Sequence, residues 1–161
     1  MAADTGISMS GSDSSFLADP KTFRLWTRDV LRFSDTDRLG HINNGAFATF
    51  CESGRVAFIW DPEAPLAQPG RAFVIVRLVI DFRAELHWPG AVDIGTTVLR
   101  IGNRSFALGQ GLFKDGACVA TAETTLVILD EATRRAMVLP DDVRARLEAC
   151  ARNADRASGV S

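Results

Sequence analysis

Residues 91–129 read AVDIGTTVLRI-GNR-SFALGQGLFK-DG-ACVATAETTLVIL, and this stretch decides the fold. Three runs rich in β-branched and apolar residues, 91–101, 105–114 and 117–129, have the composition of strands. Asp115-Gly116 separates the last two and is a hairpin signal, because a two-residue primed turn needs positive φ at its centre. Gly102-Asn103-Arg104 separates the first two. Links this short force antiparallel pairing, since parallel neighbours need a crossover of a dozen or more residues.

Working upstream, 72–85 reads as a further strand, closed by His87-Trp88-Pro89-Gly90, and a first strand is expected over 22–33. Between them the pattern changes period. Phe47, Phe50, Cys51, Gly54 and Phe58 recur at three- and four-residue spacing, which predicts a helix from Asn43 or Asn44 to about Trp60. Asp61-Pro62 ends it, since proline disfavours the helical conformation in the residue before it. Downstream, a short last strand is expected near 135–139. Pro140-Asp141-Asp142 then opens an amphipathic helix to about 151. One long helix beside one antiparallel sheet makes an α+β domain, with the sheet packed on the helix's apolar stripe. Such a sheet keeps edges, and an unpaired edge invites a second copy.

Length and composition narrow the function. The 161 residues suit one domain, expected over 22–151, with a flexible Ser/Gly/Asp-rich leader over 1–21 and a loose tail over 152–161. A net charge of −2 with mixed signs argues against a nucleic-acid partner, which demands a clustered basic face. No apolar run is long enough for a membrane span, and no signal peptide is recognisable, so the cytoplasm is expected. Cys51, Cys118 and Cys150 lie far apart, and with only His41 and His87 to add, no zinc spacing can be read along the chain. No metal or cofactor is expected.

Chemistry concentrates in Ser34-Asp35-Thr36-Asp37-Arg38-Leu39-Gly40-His41-Ile42-Asn43-Asn44. Two carboxylates precede a helix that begins with asparagines. The free N–H groups and positive dipole end of a helix suit a carbonyl oxygen that is becoming negative. A carboxylate across from it could attack that carbonyl or draw a proton from water. Asp and Asn in such places are equally ordinary turn and cap residues, and the residue types alone leave both readings open.

Asp35-Thr36-Asp37-x-x-Gly40-His41-Ile42-Asn43-Asn44, with Phe47 three residues on and Glu52-Ser53-Gly54-Arg55 after it, resembles the 4-hydroxybenzoyl-CoA thioesterase family of hotdog proteins. Ile80-Asp81-Phe82, the stretch from Ile101 to Phe106, and Leu139-Pro140 extend the similarity over about 23–148. The resemblance implies a hotdog fold, an antiparallel sheet wrapped around one long central helix, and hydrolysis of an acyl-CoA by a homodimer or homotetramer. It implies Asp37 as nucleophile or general base and the Asn44 backbone N–H as the group polarising the thioester carbonyl. His41 would orient the loop or line the pocket, and Gly40, Asn43, Phe47, Arg83, Arg104 and Ser105 would border the substrate. Arginines, Arg100 among the candidates, suit the phosphates of coenzyme A because guanidinium forks match phosphate oxygens. Two departures stand out. Arg38-Leu39 occupies a place where proline is common, and the chain has no tyrosine, so Phe47 can only pack.

Glu52 and Arg55 read as a pair on the helix surface, with Glu52 a reserve catalytic acid. Two rival readings remain: a hydratase or dehydratase on acyl thioesters, which would need a His–acid pair such as His41 with Glu52, and a non-catalytic acyl-CoA-binding module.

Overall fold

Asp115 and Gly116 turn with φ of 51° and 81°, joining β4 (Ser105–Lys114) to β5 (Ala117–Asp130) as the Asp-Gly signal requires. The computed structural model describes residues 14–151. β3 (Ala91–Ile101) pairs with β4, and β1 (Leu25–Val30) pairs with β3. β2 (Arg71–Phe82) pairs with β5, so the sheet runs β1-β3-β4-β5-β2 with every pairing antiparallel. The twelve residues of β2 form one edge, and Ile75, Val76 and Phe82 on it are exposed.

Helix α1 (Asn44–Ile59) lies against one face of the sheet. Its seat is fixed at Gly54, where an added Cβ would lie 2.5 Å from Gln110 Nε2 and 2.8 Å from Ile94 Cγ2. Buried Gln110 donates from Nε2 to the Cys51 carbonyl at 3.0 Å, tying β4 to the helix backbone. Toward the N-terminal end of α1, Phe47, Phe50 and Cys51 pack with Leu31, Ile42 and Leu86. Toward its other end, Phe58 and Ile59 join Leu66, Leu126 and Leu139. There Val143 and Leu147 of α2 (Asp141–Cys150) close the core. None of the helices among the described residues is long and apolar enough to cross a membrane.

Three expectations need correction. The leader does not stay loose up to residue 21: Ser15–Ala18 and Pro20–Thr22 form short 3-10 turns, and Leu17 is 1% exposed. Leu17, Phe23 and Phe113 make a third, small apolar cluster. Burying a leucine is worth about 1.5–3 kcal/mol, enough to hold such a short segment down. Residues 1–13 of the leader and 152–161 of the tail lie outside the described residues. The first strand begins at Leu25, not at 22, because Pro20–Thr22 is taken up by a turn. Residues 135–139 form no strand. They are held to β5 by one isolated bridge, Leu129 to Ala136, flanked by the Asp130 N–H donating to the Arg135 carbonyl at 2.9 Å and the Met137 N–H donating to the Ile128 carbonyl at 3.0 Å.

The cysteines are free. Cys51 is buried, which pushes its thiol up to about 11, while half-buried Cys118 and Cys150 are raised for the same reason.

Candidate active site

The loop before α1 is built from its own short polar side chains. Phe33–Asp35 forms one 3-10 turn, in which Asp35 Oδ2 accepts the Arg32 N–H at 3.0 Å. The Asp35 carbonyl accepts the Asn43 N–H at 2.7 Å. Next comes a closed turn from Asp37 to His41. The Asp37 N–H donates to the His41 carbonyl at 2.7 Å, and Thr36 bridges Ile42. Gly40 sits at the turn with φ of 81°, a conformation costly for other residues. Asp37 Oδ1 accepts from the Leu39 and His41 N–H groups at 2.8 and 3.1 Å. Oδ2 has no partner among the described residues, so the carboxylate is oriented by one oxygen and free at the other.

At the start of α1, Asn43 is the N-cap, its Oδ1 accepting the Gly45 N–H at 2.9 Å. Asn44 follows as the first helical residue, and its N–H has no partner among the described residues. The first turn carries no acidic side chain. No acid within the first turn of this sixteen-residue helix therefore offsets its positive end.

Asp37, His41, Asn44 and Phe47 line an open cleft of about 320 Å³ whose opposite wall is formed by Phe82, Arg83 and Glu85. Phe47, 2% exposed, meets Phe82 edge-on at 5.1 Å and forms the apolar floor. Arg83 places its Nε 3.5 Å from Thr121 Oγ1. Five of the residues expected at a site, Asp37, His41, Asn44, Phe47 and Arg83, thus gather here, with Gly40 and Asn43 next to them in the loop. Arg104 and Ser105 do not: they lie in the turn after β3 and at the start of β4, about 26 Å away at ~3.3 Å per residue along β5 from Val119, beside Arg83, to Val127, opposite Ser105. Arg100 is held by Glu123 at 2.8 Å.

Glu52 is exposed and does not line the cleft. The expected Glu52–Arg55 surface pair is also corrected. Arg55 is 4% exposed, with Nη1 3.5 Å from Thr124 Oγ1, and desolvation lowers its guanidinium from the ordinary value. Its position on the helix faces the sheet, so burial wins over the reach toward Glu52.

Two polar side chains beside the cleft were not visible along the chain as its partners. Glu85 Oε2 lies 3.4 Å from His41 Nε2 and 3.3 Å from His87 Nε2. His41 and His87 face each other across an antiparallel bridge. A larger cleft of about 410 Å³, bordered by Lys21, Arg24 and Arg146, lies elsewhere. Arg146 there is paired with Asp61 at 2.9 Å, and among the described residues no carboxylate lines the cleft. The chemistry favours the smaller cleft beside Asp37.

The five-stranded antiparallel sheet folded against one long helix is the hotdog fold, shared with solved thioesterase structures. A Pseudomonas aeruginosa protein superposes with a TM-score of 0.75 at 21% identity, over 84% of this chain and 96% of that one. A predicted thioesterase from Bacillus stearothermophilus is 28% identical with a TM-score of 0.71, over 79% and 96% of the two chains. A 1,4-dihydroxy-2-naphthoyl-CoA thioesterase from Synechocystis is 17% identical with a TM-score of 0.67, over 76% and 94%. No curated protein sequence matches the chain. Residues 31–147 match the Thioesterase-like superfamily, and the protein belongs to that family.

Proposed function

We propose that this protein hydrolyses an acyl-CoA thioester to the free acid and coenzyme A, as a 4-hydroxybenzoyl-CoA-thioesterase-like member of its superfamily. The observation that carries the reading is the pairing, on one cleft, of an oriented carboxylate with an unpartnered helix N-terminal N–H. The thioester carbonyl docks with its oxygen on the Asn44 N–H, which gains strength as the oxygen becomes negative. Asp37 Oδ2 then either attacks the carbonyl carbon, expelling the CoA thiolate and leaving an anhydride for water to cleave, or takes a proton from the attacking water. Phe47 and Phe82 supply the apolar wall for the acyl group.

Arg83 is in place to meet a phosphate of coenzyme A. Arg104 and Ser105 reach the substrate only if a second copy supplies them. The long, apolar and unpaired β2 edge supports such an assembly, a homodimer or homotetramer, and the composition supports a cytoplasmic setting. The test is thiol release from a panel of aliphatic and aromatic acyl-CoAs with purified protein. No release from any member, with binding intact, leaves the non-catalytic acyl-CoA-binding module.

A second reading has its own observation. His41 with Glu85 is an imidazole–acid pair of the kind a hydratase needs for proton transfer, and it replaces the pair with Glu52 that the sequence suggested. Hydration of an enoyl-CoA without thiol release selects it.

A further inference from the structure

The three groups on the rim of the cleft have a geometry that hydrolysis does not use. Glu85 and His87 flank Leu86, which is 1% exposed while both of its neighbours are exposed. The two polar side chains reach the same side of the chain, where Glu85 Oε2 meets His87 Nε2 at 3.3 Å. His41 faces His87 across the bridge, with ring centroids 4.8 Å apart. One nitrogen or oxygen from each of the three lies within 4.8 Å of the others.

From this we infer that His41, Glu85 and His87 form a binding site for a divalent transition-metal ion of the zinc class. The two imidazole–carboxylate separations carry the inference, with the imidazole donors within 4.8 Å of each other. An ion holding nitrogen and oxygen at about 2.0–2.2 Å in tetrahedral geometry sets neighbouring donor atoms ~3.3–3.5 Å apart. The observed Nε2 to Oε2 distances are 3.4 and 3.3 Å. Charge-assisted N–H···O bonds close to about 2.7–2.9 Å, so both contacts are longer than an optimised hydrogen bond, at a separation that an ion pair also allows. Two imidazoles and one carboxylate suit Zn²⁺, Co²⁺ or Ni²⁺ and are a poor set for Mg²⁺ or Ca²⁺, which take oxygen. Three protein donors leave a coordination position open to solvent, and the half-exposed side chains give the ion a way in.

The backbone holds the donors ready. The Ile42 N–H donates to the Leu86 carbonyl at 2.7 Å, locking the two ligand segments together. Lys114 Nζ donates to the His87 and Pro89 carbonyls at 2.5 and 2.8 Å, fixing the segment beyond the last ligand. Chain spacing hid the site, since His41 precedes α1 and the other two ligands follow β2.

The test is calorimetric titration of the chelator-stripped full chain with Zn²⁺, with Co²⁺ absorption as a second readout, so it stands apart from turnover. One ion per chain should bind with a Kd on the order of 10 μM or tighter. Glu85→Gln and His87→Asn, both at exposed positions and checked for fold by circular dichroism, should each weaken binding at least ~10-fold, the lower bound for losing even an outer-shell partner. A C118S/C150S variant should bind like the parent. Binding weaker than that limit, parent-like affinity in either ligand variant, or loss of the ion in the cysteine variant overturns the site.

Discussion

The two helices begin in opposite ways. α2 opens after Pro140 with Asp141 and Asp142 in its first turn, and Asp142 takes a bidentate pair from Arg71 at 2.8 Å for both bonds. The hydrogen bond to Arg71 holds the Asp142 carboxyl below the ordinary Asp value. α1 opens with an asparagine cap, no acid and a bare amide. Both helix ends carry the same positive potential, which favours an anion. One satisfies it from within the chain and gains stability; the other carries no acid in its first turn and, in the proposed reaction, receives the thioester oxygen.

Substitutions at these two ends break or sharpen the contrast. Asp37→Asn keeps the Oδ1 acceptor of the turn and removes the charge, so acyl-CoA turnover should fall ~10²–10⁴-fold with binding retained; thiol release and equilibrium binding read the two parts. Asn44→Pro deletes the bare amide at a position where proline is welcome in a helix, after an Asn43 whose φ of −60° and ψ of 140° suit a residue before proline. Turnover should drop ~10²–10³-fold, the effect of losing one oxyanion donor, while the melting temperature barely moves. A parent-like rate would mean that this end of α1 is no more functional than that of α2.

Stability effects come next. Asn43→Ala removes the α1 cap and should cost about 1 kcal/mol in chemical denaturation. Asp142→Asn at α2 should cost less, at most about 1 kcal/mol, because the side chain is half in solvent and exposed ion pairs are screened. A carboxyl held below its unfolded value stabilises above that value and loses the benefit as pH falls through the folded one. The gap between parent and Asp142→Asn, measured by denaturation at several pH values, should therefore close below the ordinary Asp range of about 3.9.

What the sequence revealed follows from where its signals lie. β3 and β4 were legible to the residue, because turn residues bound both, and α1 to within one residue, because its period and cap agree. β2 was harder. Between Ile75 and Arg77 its register shifts by one residue against β5, so Phe73 and Ile75 before the bulge share a face with Leu78 and Ile80 after it, and alternation fails. Leu17 escaped notice because one leucine in a polar run has no period. Asp37, His41 and Asn44 were readable together because the loop and helix cap are contiguous. Glu85 and His87 join them only through tertiary pairing, which no local pattern encodes.

Gly54 has a consequence for redesign. A methyl group there would meet Gln110 Nε2 of β4 and Ile94 Cγ2 and Thr96 Oγ1 of β3, so a larger residue must displace those side chains or lift the helix that carries Asn44 at its tip. On the proposed acyl-CoA reading, a variant library aimed at bulkier acyl groups should gain room by trimming Phe47 and Phe82, while diversity at position 54 should lower the rate for every substrate alike.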